Sequence, residues 1–325
     1  MVSKPKIFAT KPLFASARAI LEQHVDTEYW MQSQRIPRDE LLRHVVDKDG
    51  LICLPTERID AGLLDTALKI RIVATASVGY DHVDLDSCTN RGVIATNTPG
   101  VLTDTTADLA WGLLMAVARR IVEGDAWTRS GNWSGFSFDT FLGSDISGKT
   151  LGIIGFGRIG REMARRALGF KMRVLYFSRQ RAPEPIEREL AVEFASFDTI
   201  LRESDFVSLH VPLLPTTHHL ISAENFSKMK RTAYLINTTR GPVIDEVALV
   251  RALESATIAG AGLDVYEQEP KVHPGLLSRN DVVLAPHIGS ATVETRAKMA
   301  HVAADNVVAF FSGRKPPNAL NSPSA

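Results

Sequence analysis

Cysteine is nearly absent: the 325 residues hold only Cys53 and Cys88, with no CxxC pair. A chain of this length can build a core without cross-links, so the scarcity points to a reducing compartment, the cytoplasm, with both thiols acting as packing residues. Net charge is missing as well. Lys plus Arg and Asp plus Glu each total 37, which leaves no overall field to gather nucleic acid or anionic lipid. Long apolar runs are also wanting. The run LAWGLLMAVA from Leu109 is too short to span a bilayer and is bounded by Asp108, Arg119 and Arg120, and MVSKPKIFATKPL has Lys and Pro where an export signal needs continuous apolar sequence. Neither nucleic acid nor membrane is an expected partner. There is no tandem repeat, no GxSxG, and no HExxH or Cys/His ligand spacing, even around the adjacent His218 and His219. Solenoids, serine hydrolases and a metal centre are therefore not expected.

What is present reads as a folded α/β chain. Hydrophobic residues make up 45% and charged residues 23%, ordinary globular values, and the length calls for two domains. Strand-like runs (KIFAT, GLICL, IRIVATA, GVIATN) alternate with helical patterns (SARAILEQH, RDELLRHV) over the first hundred residues, as in parallel βαβ units. TDTTADLAWGLLMAVARR then predicts a long helix with Thr and Asp at its start and Arg at its end. After the aromatic loop SGNWSGFSFDTFLG a second α/β series opens at KTLGIIGFG and runs through MRVLYFS, DFVSLHVP, TAYLINTT, GAGLDVY and VVLAPHIG. A last helix carries Met299, Ala303, Val307 and Phe310 at helical spacing and stops at Gly313; the tail beyond, with Pro316 and Pro317, is expected to be disordered. Trp111, Met299 and Phe310 read as core.

GIIGFGRIG places Gly155, Gly157 and Gly160 in GxGxxG spacing between a strand and the helical REMARRALGF. Such a turn lets the backbone approach a pyrophosphate and aims helix N–H groups at its charge. Arg158 and Ile159 lie in the same turn, and Pro212 and Thr238, at the ends of later strands, complete the expected cofactor set. About 20 residues on, where NAD-binding chains place an acidic residue for the ribose, stand Ser178, Arg179 and Arg181. A hydroxyl with guanidinium groups suits a ribose 2′-phosphate, so NADP(H) is predicted over NAD(H), although arginines at a strand end are often simply solvated.

Arg240 in INTTRGPVID, Asp264 and Glu269 in GLDVYEQEP, and His287 in LAPHIGSAT lie at the ends of further strands, where open α/β sheets collect ligands. Arginine offers a planar fork for a carboxylate, histidine exchanges a proton near neutral pH, and a carboxylate beside it favours the protonated form. That set suits 2-keto acid reduction. Taken singly, each residue reads as readily as a surface arginine, a loop acid or a satisfied histidine.

Nearly the whole chain, from ASVGYDHVD and TPGVLTDTTADLAWGLLMAVARR through GIIGFGRIG, INTTRGPVID, GAGLDVYEQEP and APHIGSAT, resembles the D-isomer-specific 2-hydroxyacid dehydrogenases, and within them the glyoxylate and hydroxypyruvate reductases. The resemblance implies two Rossmann-like domains with a cleft between them: a flavodoxin-like substrate domain, residues 1–101 and 288–325, and a dinucleotide domain, residues 102–287. It implies that Arg240 binds and polarises the keto acid, that His287 is the general acid, and that Glu269 orients His287 and raises its proton affinity. Asp264 and Thr106 would line the nicotinamide pocket, and the backbone amides of Val78 and Gly79 would grip the substrate carboxylate. Pro55 would border the substrate. A homodimer is implied too, with Trp133 and Phe136 as candidates for an aromatic lent across the interface. The alternatives that stay open are a 2-ketogluconate-type reductase, a formate or phosphite dehydrogenase, and a dinucleotide-sensing, corepressor-like binding protein.

Overall fold

Residues 3–323 are described by a computed structural model. In chain order the elements begin β1 (Lys6–Ala9), α1 (Ala15–His24), β2 (Asp26–Tyr29), α2 (Arg38–Val45), β3 (Gly50–Cys53), α3 (Ala61–Thr66), β4 (Ile72–Thr75), α4 (Leu85–Asn90) and β5 (Ile94–Thr96). Next come α5 (Thr103–Ala118), α6 (Ile121–Arg129), β6 (Thr150–Ile154), α7 (Arg158–Gly169), β7 (Arg173–Phe177), α8 (Glu184–Leu190), β8 (Val192–Phe194), α9 (Phe197–Glu203) and β9 (Phe206–Leu209). The chain closes with α10 (Ala223–Lys228), β10 (Tyr234–Asn237), α11 (Glu246–Glu254), β11 (Gly260–Leu263), α12 (Pro274–Leu277), β12 (Val282–Leu284) and α13 (Val293–Phe311). The central strands are mostly apolar, and β3, β4, β9, β10 and β11 are buried at every position. That is the mark of parallel strands covered by helices on both faces.

The fold separates into two compact units, one running to Leu102 and resuming at Ser290, the other Thr103–Gly289. In the first, five parallel strands take the order β2-β1-β3-β4-β5, the flavodoxin-like arrangement. Its return segment, α13, packs on α1 and β4 and buries Ala303 and Val307 in their shared core, and Met299 is buried too. Cys53 and Cys88 are buried in one apolar cluster, and burial raises both thiols, Cys88 to about 11.

Through Pro323 the tail corrects the expectation of disorder; Ser324 and Ala325 lie outside the described residues. Beyond Gly313 it lies along β5: Leu320 N–H donates to the Ala95 carbonyl at 2.8 Å, and the Asn321 side chain accepts from Ala95 N–H at 2.9 Å and donates to Val93 O at 2.9 Å. The prolines prevent a helix, but the Asn side chains satisfy the edge of the sheet instead, and Asn306, fully buried on α13, joins Asn97 and Asn318. Composition alone could not report those partners.

In the second unit seven parallel strands take the order β12-β11-β10-β9-β6-β7-β8. Strand order reverses between β6 and β9, and the register sets Ile154 of β6 beside both Phe177 of β7 and Leu209 of β9, so their carboxyl ends lie level. In doubly wound sheets ligands bind at this switch point. The expected long helix is α5, which packs on α7, β10 and β11; it ends at Ala118, and Arg120 adopts a left-handed conformation that starts α6. Trp111 on α5 packs against Phe170 at 4.9 Å. Among the described residues no helix is long and apolar enough to cross a membrane.

Candidate active site

The glycine turn follows β6 directly. Gly155 has φ +96°, and a Cβ there would lie 2.5 Å from the carbonyl oxygen of His210 at the end of β9. At Gly160, a Cβ would lie 2.2 Å from Gly155 O, so α7 packs close on the strand end. Gly157, the N-cap of α7, faces open space with nothing within 4 Å of such a Cβ, and Arg158 and Ile159 begin the helix. Two glycines thus answer crowding from within, while the middle one leaves room for a ligand's phosphates beside the helix N-terminus. Nearby strand ends also carry buried polar atoms without partners among the described residues: Thr238 Oγ1 after β10 and His210 Nδ1 after β9. Burial alone lowers the His210 pKa to about 3, and its Nε2 lies 2.8 Å from Ser208 Oγ. The turn, its open middle glycine and the unpartnered Thr238 hydroxyl fit a dinucleotide.

At the end of β7 the three residues expected to hold a 2′-phosphate differ in their commitments. Arg181 is bound in a bidentate pair by Glu187 of α8, at 2.9 and 2.8 Å, and the Tyr176 hydroxyl donates to the same carboxylate. Ser178 Oγ donates to the Gln180 carbonyl. Arg179 is exposed and, among the described residues, has no hydrogen-bond or ion-pair partner. Sequence reading missed Glu187, whose contact with Arg181 depends on where α8 docks.

The catalytic candidates converge at the carboxyl ends of β10, β11 and β12. Asn237, the last residue of β10, accepts from Thr239 N–H and Oγ1 and donates to the Arg240 carbonyl, a local Asx turn that sets the Arg240 backbone. Gly241 lies against Tyr266 so closely that a Cβ would fall 1.9 Å from its carbonyl carbon, which keeps the Arg240 turn on the segment after β11. Asp264, fully buried, accepts from the amides of Ile288 and Gly289 at 2.7 and 2.8 Å, and its own carbonyl accepts from His287 N–H. Burial raises its pKa, only partly offset by those amides. Thr106 Oγ1 donates to Gly289 O at 3.1 Å, tying α5 to the same turn.

This backbone holds His287 at φ +55°, with Nδ1 2.8 Å from Glu269 Oε2, while Glu269 Oε1 accepts from Tyr266 N–H at 3.2 Å. Burial pushes the Glu269 pKa up, but the His287 hydrogen bond and charge, the Tyr266 amide and the Arg240 charge outweigh it and hold the carboxyl below its usual range. Asp264, Glu269, His287 and the Arg240 charge therefore act on one another in one place. Pro212 lies in the loop after β9, its carbonyl accepting from Thr217 Oγ1. Val78 and Gly79 belong to the first unit, after β4. The Ser77 and Val78 carbonyls accept from Thr98 N–H and Asn97 Nδ2, so in trans peptides the Val78 and Gly79 N–H groups point away from those partners. Asn237 and His210 were missed in the sequence; Asn before Thr-Thr is a readable turn signal, whereas His210 gives none.

A family model described as D-isomer specific 2-hydroxyacid dehydrogenase, NAD binding domain, matches residues 111–289. The glyoxylate reductase of Thermococcus kodakarensis is 50% identical over 322 residues, 98% of this chain and 96% of that one. This chain belongs to the D-isomer-specific 2-hydroxyacid dehydrogenase family. A solved structure of a Thermus thermophilus protein matches this family member with TM-score 0.91 and 44% identity over 97% of this chain and 100% of that one. The NADPH-dependent glyoxylate/hydroxypyruvate reductase of Sinorhizobium meliloti, solved with NADP and malonate, matches with TM-score 0.85 and 32% identity over 98% and 97%. As a D-2-hydroxyacid dehydrogenase the chain uses a nicotinamide dinucleotide, which its glycine turn is built to receive.

Proposed function

We propose that this dehydrogenase reduces a small 2-keto acid, glyoxylate or hydroxypyruvate, to the D-2-hydroxy acid, using NADP(H) in preference to NAD(H). The His287–Glu269 pair at 2.8 Å, formed beside the Arg240 turn, carries the reading. Bound at the glycine turn, the dinucleotide supplies the hydride. Gly155, Gly157, Arg158, Ile159 and Gly160 hold its phosphates, with Pro212, Thr238, Thr106 and Asp264 toward the nicotinamide. Arg240 binds the keto acid and stabilises charge developing on its carbonyl oxygen. Since Nδ1 of His287 is committed to Glu269, Nε2 is the nitrogen that delivers a proton to that oxygen, and the ionised Glu269 keeps ring orientation and tautomer fixed. The Val78 and Gly79 amides bind the substrate carboxylate, which makes the first unit the substrate domain and the second the cofactor domain.

Arg179, without a partner among the described residues, is the leading group for the 2′-phosphate, assisted by Ser178; Arg181 serves through its exposed edge because Glu187 already holds it. Trp133, Phe136, Phe138 and Leu142 are 63, 85, 90 and 67% exposed, an apolar patch that supports a homodimer through this loop. Two buried free thiols suit the cytoplasm. Initial rates with glyoxylate, hydroxypyruvate and 2-ketogluconate, each with NADPH and NADH, test the proposal. Highest kcat/KM is expected for glyoxylate or hydroxypyruvate with NADPH; a preference for 2-ketogluconate, or for NADH, overturns the corresponding half.

A further inference from the structure

His218 and His219 lack a ligand motif in sequence, but the fold brings them a third donor from 48 residues further along the chain. We propose that His218, His219 and Glu267 bind one divalent transition-metal ion of the zinc type. Their nearest ligand atoms all lie within 4.8 Å of one another, with His219 Nε2 2.8 Å from Glu267 Oε1. Consecutive side chains on an extended strand point to opposite sides. Here His219 has φ +50°, and the two imidazoles instead lie stacked, with centroids 4.0 Å apart and planes 29° apart.

The cluster is anchored from behind. His219 N–H donates to the Pro242 carbonyl at 2.8 Å, Glu267 N–H donates to Glu246 Oε2 at 2.7 Å, and Glu246 N–H donates to Glu267 Oε2 at 3.2 Å. One carboxylate oxygen is thus oriented by an amide while the other faces the imidazoles, the outer support that metal ligands use. Two imidazole nitrogens with one carboxylate oxygen suit Zn²⁺, Co²⁺ or Ni²⁺ and not the all-oxygen shells of Ca²⁺ and Mg²⁺. Metal–ligand bonds of about 2.0–2.2 Å in a tetrahedron separate donors by roughly 3.3 Å, so the ion enters by widening the His219–Glu267 contact slightly and turning exposed His218 inward. It would join the loop after β9 to the segment that two residues later carries Glu269, and it shares no residue with the dehydrogenase site.

The test is calorimetric titration of the tag-free, metal-stripped full chain with ZnCl₂, and with MgCl₂ as the hard-cation control. One saturable Zn²⁺ per chain is expected, with no Mg²⁺ binding. His218→Ala and Glu267→Gln should each weaken Zn²⁺ at least about tenfold, while His301→Ala, on α13, leaves it unchanged. Absence of saturable binding, or unchanged affinity in His218→Ala, overturns the proposal. His218 is exposed, so its replacement keeps the test decisive even where Glu267→Gln disturbs folding. Neither result depends on substrate or dinucleotide.

Discussion

At the β11–β12 end of the seven-stranded sheet, Glu269 and His287 stand 18 residues apart in sequence yet meet at 2.8 Å, with Asp264 holding the backbone behind them through two amides. At the β7 end, Arg181 and Glu187 are six residues apart and neutralise one another, while Arg179 meets no described protein group. The first end is already tied together by protein groups; at the second, Arg179 stands exposed. Groups held in place by protein hydrogen bonds need no reorganisation when charge develops beside them, whereas an exposed, unanchored guanidinium competes with solvent for its ligand. The largest effects of mutation therefore belong to the β10–β12 end and the smallest to β7.

The strongest way to break the contrast is His287→Ala, expected to lower kcat about 10²- to 10⁴-fold. Near-normal turnover, measured with saturating NADPH and glyoxylate, would remove the acid role. Next comes Arg240→Ala, expected to cost about 10²- to 10³-fold in kcat/KM for the keto acid, with NADPH affinity by fluorescence titration unchanged.

Between the two ends stands His210. Its folded pKa, about 3 against 6.5, means that protonation favours the unfolded chain. Its contribution to stability is complete above pH 6.5 and declines as pH falls toward 3, by at most about 1.4 kcal/mol per pH unit. Denaturant unfolding across pH 4–8, a range set by the ~6.5 reference value, should show a shallower acid decline in His210→Gln than in wild type. Identical profiles would mean the ring is not buried neutral. The smallest expected effect, Arg179→Ala, raises KM for NADPH about tenfold and leaves NADH unchanged, the value of a charged hydrogen bond partly screened by water. Equal losses with both cofactors would place Arg179 elsewhere than on the 2′-phosphate.

Local pattern made much of this legible. Largely apolar strands alternating with helical patterns announced parallel sheets, and the glycine spacing between strand and helix marked the turn, because crowding at Gly155 and Gly160 and openness at Gly157 are requirements that residue type alone can meet. The tail was misread because proline excludes helix without excluding order, and the Asn side chains that fix it to β5 find partners more than two hundred residues away. Glu187 and His210 were invisible for a related reason: one matters through the docking of a helix, the other through its burial.

By itself the amino-acid order determined the βαβ series, the nucleotide turn and the residue types able to bind a keto acid and move a proton, since periodicity and side-chain chemistry are local properties. Tertiary structure decided which of those groups touch. Glu269 rather than Asp264 holds the His287 ring, Asp264 goes instead to the backbone amides, Arg181 is spent on Glu187, and Glu267 comes to the paired histidines. Such choices rest on strand register and loop closure, which bring together atoms that sequence distance keeps apart.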